Sequence, residues 1–386
     1  MTKPGMHQQH GSYKTFQPTP IGNTSEITDE RISLLLAEAM RYLGELNAYS
    51  QLVPDIDYFI RMHIAKEATT SSKIEGTRTN LEDVIKDDEE SRAELGAEER
   101  DDLEEVQNYI KAINAAVSDL ERLPLANRLM CQTHHILLSG VRGYTKAPGE
   151  VRRTQNWIGG GGDIATAAFI PPSPETVPDL LADLEKYWHY NDTTPQLIKI
   201  ALSHYQFETI HPFLDGNGRL GRLMITLQLI DSKILTKPAL YISDYFECHR
   251  AAYYDALERV RLSGDYDQWV RFFLGGVVAT AKDSKDTLQS IVKLRESYYE
   301  RINESALSPT RQKTARELLT MLFAQPIVSI RQVSNMLGRT FQTASDLVTE
   351  LDRLGLLREM TGDAKNRKYV LGEYFDLFNK PRRNHE

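Results

Sequence analysis

The sequence predicts a mainly α-helical protein: a helical core with a short β-hairpin flap, and a winged helix at the C-terminal end. Apolar residues recur at helical spacing through most of the 386 residues, and a Gly- and Pro-rich stretch interrupts them between residues 144 and 174. Three helical and two strand-like segments close the chain. With 41% hydrophobic residues, the chain can bury more than one core. We expect an N-terminal helical region (1–110), a core (111–290) and a winged-helix domain (291–386).

Acidic residues are concentrated in one segment. The formal net charge is -8, and the segment from Asp87 to Glu105 contains eleven acidic residues and two arginines. We interpret this segment as a solvated loop rather than as an acidic docking segment. The remaining sequence is close to neutral, which excludes the broad basic surface of a bulk nucleic-acid-binding protein.

Cysteine content and hydropathy predict a cytoplasmic protein. Cys131 and Cys248 are the only cysteines, so they provide neither a disulfide framework nor a zinc site with four cysteine ligands. No apolar run approaches the roughly 18 residues that a membrane span needs, and the N-terminus lacks the apolar stretch of a signal peptide.

The first third of the chain is predicted to be helical. Pro54 suits a first helical turn, and Gly76 suits the position just past a helix end. The predicted helices cover residues 28–50, 54–74, 106–116 and 125–138.

An irregular segment and two further helices follow. Four consecutive glycines, Gly159 to Gly162, are flanked by apolar residues and followed by prolines, which favours a short hairpin or flap with a mobile tip. Beyond it, one amphipathic helix can open at Pro195, and a second carries an apolar stripe from Leu220 to Leu227.

The stretch between these two helices contains the residues best suited to chemistry. Residues 211–222 read HPFLDGNGRLGR. Gly216 and Gly218 allow backbone N–H groups to approach an anion, and the following helix presents its positive N-terminal end. Arg219 and Arg222 are three residues apart on one face of that helix, so their guanidinium groups can bind two phosphates.

Two more residues of this loop suit metal binding and proton transfer. Asp215 offers a carboxylate to Mg²⁺ held jointly with phosphates. The ordinary pKa of a histidine lies near neutrality, so His211 can accept the proton of an attacking hydroxyl. Such a set can suffice for phosphoryl-type transfer, in which the protein mainly positions groups and stabilises charge.

The string resembles the signature of the Fic family, HxFx(D/E)GNGRxxR, at all eight specified positions. The resemblance implies a protein adenylyltransferase, which moves AMP from ATP to hydroxyl side chains of target proteins and of itself. It implies that His211 is the base, that Asp215 holds Mg²⁺, and that the two arginines bind the β- and γ-phosphates. The nucleotide-binding residues implied in this loop are Gly216, Asn217, Gly218, Arg219, Leu220, Gly221 and Arg222.

The resemblance extends to two other segments. Residues 152–174 resemble the family's β-hairpin flap, which pairs with extended target segments. Tyr253 and Tyr254 resemble a tyrosine pair beside the adenine, and core aromatics on a helix are the alternative interpretation. The flap residues implied to contact the nucleotide are Thr166, Ala167, Ala168 and Phe169.

Residues 71–76, SSKIEG, resemble the family's inhibitory pattern, (S/T)xxxE(G/N), at the end of a predicted inhibitory helix (about 54–75). The resemblance implies that Glu75, with Ser71 of the same pattern, keeps the enzyme switched off. A Glu75 carboxylate on Arg222 would neutralise the charge that should bind the γ-phosphate. A surface glutamate is the alternative.

The last hundred residues predict a winged helix. Helices over 314–323, 330–337 and 340–354 precede two strands, 356–359 and 368–371, joined by a turn. Winged helices bind DNA or serve as dimerisation and docking modules, so both roles stay open. The basic residues that would meet DNA phosphates are Arg331, Arg339, Lys365, Arg367 and Lys368.

Two alternative functions follow from these features. The chain would be a winged-helix transcription regulator that uses the core as a nucleotide sensor, or a Fic enzyme that removes AMP from proteins. A homodimer is common in the family. The target protein is not deducible from the sequence.

Overall fold

The computed structural model describes residues 3–23, 27, 29–53, 56–86, 89–190, 193–362 and 367–379. In these residues helices predominate, and five short strands form two small sheets. None of the described helices combines the length and the apolar character that crossing a membrane requires.

An antiparallel hairpin, which the sequence analysis did not predict, opens the described chain. Strand β1 (Gly5–His10) pairs with β2 (Tyr13–Pro18) through a turn at Gly11, whose φ is +56°. Phe16 of β2 is buried, and its N–H donates to the carbonyl of Ile170 (2.9 Å). The hairpin is thus attached to the end of the flap segment.

Six helices follow, and four of them correspond to predicted helices. The interpretation of the acidic segment as a solvated loop was wrong: a helix begins at Ala97, and Asp102 and Glu105 on it are buried. Thr28 and Pro54, at which two of these helices were predicted to begin, lie outside the described residues. The helices are α1 (Glu30–Leu52), α2 (Ile56–Ile74), α3 (Leu81–Lys86), α4 (Glu89–Glu94), α5 (Ala97–Asp119) and α6 (Asn127–Leu137).

The core contains six more helices, and two of them form a central pair. Helices α8 and α9 are buried on almost all sides, which is typical of central helices. The long helix α12 packs along α1 and α8, and Trp269 on it donates its indole N–H to Ala201 O (2.8 Å). These helices are α7 (Val177–Tyr190), α8 (Gln196–Ile210), α9 (Asn217–Asp231), α10 (Ser243–Cys248), α11 (Arg250–Ser263) and α12 (Tyr266–Glu304).

The predicted flap hairpin contains a single antiparallel bridge, between Ile158 and Phe169. Between these residues the chain forms two short 3₁₀ turns instead of paired strands. The cause is the run from Gly159 to Gly162, in which each glycine has a positive φ between 60° and 97°. A strand requires negative φ, so the ladder ends after one bridge.

The segment from residue 309 to 379, which we call the C-terminal module, contains the three predicted helices and the two predicted strands, together with a strand, β3, and a final helix, α16, that were not predicted. Ser329 caps the N-terminus of the helix that begins at Ile330, and it forms a capping box with Gln332. Three short strands pair antiparallel in the order β3, β5, β4, and the residues 363–366 that join β4 to β5 are not described. The elements are α13 (Pro309–Leu322), β3 (Ile327–Ser329), α14 (Ile330–Leu337), α15 (Phe341–Arg353), β4 (Arg358–Glu359), β5 (Lys368–Val370) and α16 (Gly372–Asn379).

The basic residues expected to meet DNA are only partly available on this module. Lys368 is buried and its ammonium group contacts Ser91 Oγ. Arg367 forms an ion pair with Glu359 (3.5 Å), and Lys365 lies outside the described residues. Arg331 and Arg339 are exposed.

Candidate active site

His211 lies at the bend between α8 and the loop. Its backbone is left-handed (φ 49°, ψ 61°), a conformation that L-residues adopt only when their surroundings impose it. Arg152 Nε (2.9 Å) and Asn156 Nδ2 (3.1 Å) both donate to the carbonyl of His211. The flap segment therefore stabilises the backbone bend at His211, which determines the orientation of the imidazole.

The imidazole of His211 is arranged to accept a proton. Nδ1 lies 3.3 Å from the carbonyl oxygen of Glu208, which can only accept, so Nδ1 carries the hydrogen and Nε2 has a free lone pair. Burial lowers the pKa of His211 to about 4. The ring is consequently neutral at physiological pH.

Two side chains fix the backbone of the loop. Asn217 Oδ1 accepts from the N–H of Phe213 (2.9 Å), and Asn217 Nδ2 donates to its carbonyl (2.8 Å). His134 Nδ1 accepts from the N–H of Gly149 (2.8 Å), so its Nε2 is protonated and donates to the carbonyl of Asp215 (2.9 Å). The sequence analysis did not identify His134, because its partners lie on distant segments.

The N-terminus of α9 is open toward the loop. Its N-cap is Gly216 (φ 72°), and no side chain of the described residues caps it. The N–H groups of Asn217, Gly218 and Arg219 belong to the first turn, where a helix provides no internal acceptors. Such a helix end binds anions.

Asp215 lies beside this helix end, and 41% of its side chain is exposed. Its Oδ1 accepts from the N–H of Gly216 (2.6 Å) and lies 3.9 Å from Arg219 Nη2. Its Oδ2 faces Gly143, where a Cβ atom would overlap it. The described residues contain no cluster of three metal-ligating side chains. A cation at Asp215 would therefore take most of its ligands from phosphates and water, which suits Mg²⁺.

Arg222 is buried and forms an ion pair with Glu75. Its Nη2 lies 2.6 Å from Glu75 Oε1 and 2.9 Å from the carbonyl of Ser71, and its Nε donates to Ser71 Oγ (2.9 Å). Burial alone would raise the pKa of Glu75, but the Arg222 guanidinium outweighs it and holds this pKa below its ordinary value. A Cβ at Gly218 would overlap Glu75 Oε1, so this carboxylate lies against the first turn of α9, beside its open N-terminus.

Arg219 is also buried, and its partner comes from the acidic segment. Its Nη1 donates to Glu105 Oε2 (2.8 Å). Its Nε is buried without a partner in the described residues. Both arginines of the loop are thus held by carboxylates from the N-terminal helices.

Four other predicted residues lie in different surroundings. Leu220 is in the apolar core, and Gly221 faces Phe207 and Glu208 of α8. Tyr253 is buried, and because His204 Nδ1 donates to the carbonyl of Gly221 (3.1 Å), the Tyr253 hydroxyl donates to His204 Nε2 (2.8 Å). Tyr254 is 42% exposed, so it is the tyrosine of this pair that can meet a ligand.

The flap residues are held by contacts within the chain. Thr166 Oγ1 donates to the carbonyl of Gly160 (2.7 Å), which tightens the tip beside Ala167 and Ala168. The Arg261 guanidinium lies 4.0 Å from the centroid of the Phe169 ring, whose centroid is 6.2 Å from that of Phe16. Arg261 and the N-terminal hairpin thus fix the second arm of the flap.

Comparisons with known proteins agree with this geometry. Residues 33–118 match the model described as Fic/DOC family N-terminal, and residues 124–229 match the Fic/DOC family model. A protein adenylyltransferase Fic from Drosophila grimshawi is 28% identical over 258 residues, which are 65% of this chain and 48% of that protein. A probable protein adenylyltransferase from Aquifex aeolicus is 40% identical over 70 residues, 18% of this chain and 22% of that protein. The chain thus spans about half, or less, of these relatives' lengths.

A solved structure supports the fold. The crystal structure of a Fic family protein from Desulfovibrio desulfuricans G20 has a TM-score of 0.57 and 21% sequence identity, and the match covers 94% of this chain and 100% of that one. The two family matches cover residues 71–76 and the loop from His211 to Arg222. The chain belongs to the Fic family.

Proposed function

We propose that this protein is an adenylyltransferase that transfers AMP from ATP to hydroxyl side chains of proteins, and that Glu75 inhibits it. The observation that carries the proposal is the carboxylate of Glu75 on the buried Arg222, at the open N-terminus of α9. An anion already occupies the position that suits a terminal phosphate of ATP. The relatives named protein adenylyltransferases support the same reaction.

In the proposed reaction, His211 Nε2 takes the proton of the target hydroxyl, whose oxygen attacks the α-phosphorus. The bond from the α-phosphorus to the bridging oxygen breaks, AMP is joined to the target, and pyrophosphate leaves. The open N–H groups of α9, with Arg219 and Arg222, bind the phosphates. Asp215 would hold Mg²⁺, which neutralises phosphate charge.

Inhibition follows from competition for one guanidinium. While Glu75 neutralises Arg222, the γ-phosphate has no cation there and ATP cannot take a reactive position. Removal of the Glu75 side chain leaves Arg222 held by Ser71 and open to ATP.

Labelled ATP tests this proposal. The Glu75→Gly protein is incubated with Mg²⁺ and ATP labelled at either the α- or the γ-phosphate, and covalent label is measured on the protein itself and on candidate targets. We expect only the α label, at least about tenfold above the level of the unmodified chain. The Glu75→Gly, His211→Ala protein should carry none, because the base is absent.

Other results would identify another reaction. Covalent γ label would indicate phosphate transfer. Absence of both labels, with release of AMP from an AMP-modified protein, would indicate AMP removal. Equal α label with and without Glu75 would contradict inhibition but leave the transferase intact.

A further inference from the structure

We propose that Arg142, which lies outside the Fic signature, is a third phosphate-binding residue. It would bind the β- and γ-phosphates of ATP and the pyrophosphate that leaves. This inference rests on the adenylyltransferase function proposed above, because that reaction requires a site for a triphosphate.

The first observation is that one carboxylate holds two arginines. Glu105 Oε2 accepts from Arg219 Nη1 (2.8 Å), and Glu105 Oε1 accepts from Arg142 Nε (2.9 Å). The two guanidinium groups are therefore neighbours on opposite oxygens of one side chain. Because the signature implies that Arg219 contacts phosphate, Glu105 places Arg142 next to a phosphate-binding residue.

The second observation is the way in which Arg142 is fixed. Asp102 and Glu105 are both 5% exposed and bind two nitrogens of its guanidinium, at Nη2 and Nε. Its side chain is nevertheless 52% exposed, and its Nη1 has no hydrogen bond to the described residues. The guanidinium is thus rigidly oriented, with one amino group open to a ligand.

The third observation is the location of this arginine. The next residue, Gly143, has a positive φ of 90°, and its backbone touches Asp215 Oδ2 so closely that no Cβ fits. On the other side, Arg219 Nη2 lies 3.9 Å from Asp215 Oδ1. The residue that follows Arg142 and the guanidinium of Arg219 therefore both lie beside Asp215, the residue suited to Mg²⁺.

The fourth observation is an incomplete hydrogen-bond set. Arg219 is 4% exposed, yet its Nε has no partner among the described residues. A buried guanidinium N–H without an acceptor costs free energy unless a ligand supplies one. A phosphate oxygen beside Asp215, at the edge of Arg219 formed by Nε and Nη2, would supply that acceptor.

A purely structural role is the alternative, in which Arg142 only ties its loop to α5. Ligands with different numbers of phosphates distinguish the phosphate-binding role from the structural role. AMP contains the α-phosphate alone, so loss of a contact to the β- or γ-phosphate weakens ATP and pyrophosphate binding and leaves AMP binding unchanged. A distorted loop would weaken the binding of all ligands, since it also displaces Asp215.

The experiment is calorimetric titration of the Glu75→Gly, His211→Ala protein. The first substitution removes the carboxylate from Arg222, and the second prevents turnover. ATP, pyrophosphate and AMP are titrated separately in the presence of Mg²⁺. The same titrations are made with Arg142→Ala and with Arg142→Lys, which keeps the charge and can still pair with the two acids. Arg122→Ala is the matched control, because Arg122 is 75% exposed and pairs with Asp119 on the surface.

We expect Arg142→Ala to weaken the binding of ATP and pyrophosphate at least about tenfold and that of AMP less than twofold. Arg142→Lys should give an intermediate loss, and the control should have no effect. Unchanged ATP and pyrophosphate binding, or an equal loss for all three ligands, would overturn the assignment. A parent protein that binds neither ATP nor pyrophosphate would contradict the proposed function itself.

Discussion

The two ends of helix α2 are held in opposite ways. In its N-terminal half, Phe59 packs edge-on against Phe323 (ring centroids 4.9 Å apart) and lies 6.4 Å from Tyr374. One turn further on, His63 meets the edge of Phe378 (5.2 Å). All three partners belong to the C-terminal module. This end of the helix is therefore held by apolar, aromatic contacts.

The other end of the helix makes polar contacts with the catalytic loop. Ser71 is buried and accepts two hydrogen bonds from Arg222, whereas 35% of the Glu75 side chain is exposed just past the last turn. Apolar burial stabilises by roughly 25 cal/mol per Å², whereas the attraction between Glu75 and the buried Arg222 is largely offset by the desolvation of both charges. Glu75 can therefore leave Arg222 while α2 stays in place.

The largest expected effect is on the apolar end. Phe59→Ala should lower the free energy of unfolding by about 3–5 kcal/mol, because it leaves a cavity in the cluster with Phe323 and Tyr374. Urea unfolding measures the change. Leu34→Ala is the control: this α1 side chain is 75% exposed, so the expected change is below about 0.5 kcal/mol. Similar losses for both variants would contradict a buried anchor.

The same contrast explains how much the sequence revealed. The loop from His211 to Arg222 and the helices around it were predictable, because their ligand-binding groups and apolar spacing are local. The burial of Glu105 was not, because its partner Arg219 lies 114 residues away. The N-terminal hairpin was missed for a different reason: its strands, GMHQQH and YKTFQP, are mostly polar and lack the apolar alternation that predicts a strand.

Adjacent residues of one helix can have different surroundings, which residue types alone do not reveal. Tyr253 and Tyr254 are adjacent in sequence, yet one is buried against Phe246 and the other is exposed. Which of two neighbours faces a ligand depends on the packing of α11 against α8, α10 and α12. Long-range packing is absent from a local sequence pattern.

The second prediction concerns pH and the apolar end. Burial lowers the pKa of His63 to about 4, below its ordinary value of 6.5, and the positive charge of the nearby Lys66 lowers it further. The unfolded chain therefore binds a proton between about pH 6.5 and 4 that the folded chain does not, so stability falls as pH falls through this window. His63→Phe keeps an aromatic ring but removes this titration.

Urea unfolding at pH 7 and pH 4 tests this effect. Between the two, the unmodified chain should lose about 3 kcal/mol more than His63→Phe, from roughly 1.36 kcal/mol per pKa unit. Leu34→Ala, which alters no titratable group, should follow the unmodified chain. If the unmodified chain and His63→Phe lost the same stability between pH 7 and pH 4, His63 would not be buried in its neutral form.

The smallest effect is expected at the polar end. Glu75→Gln keeps the shape of the side chain but removes its charge, and Arg222 retains both hydrogen bonds to Ser71. The Gln amide oxygen can still accept from Arg222, so the free energy of unfolding should fall by only about 1–2 kcal/mol, measured in the same urea titration at neutral pH. A loss as large as that of Phe59→Ala would mean that Glu75 anchors the helix as well as blocking Arg222, and that it cannot be displaced without loosening α2.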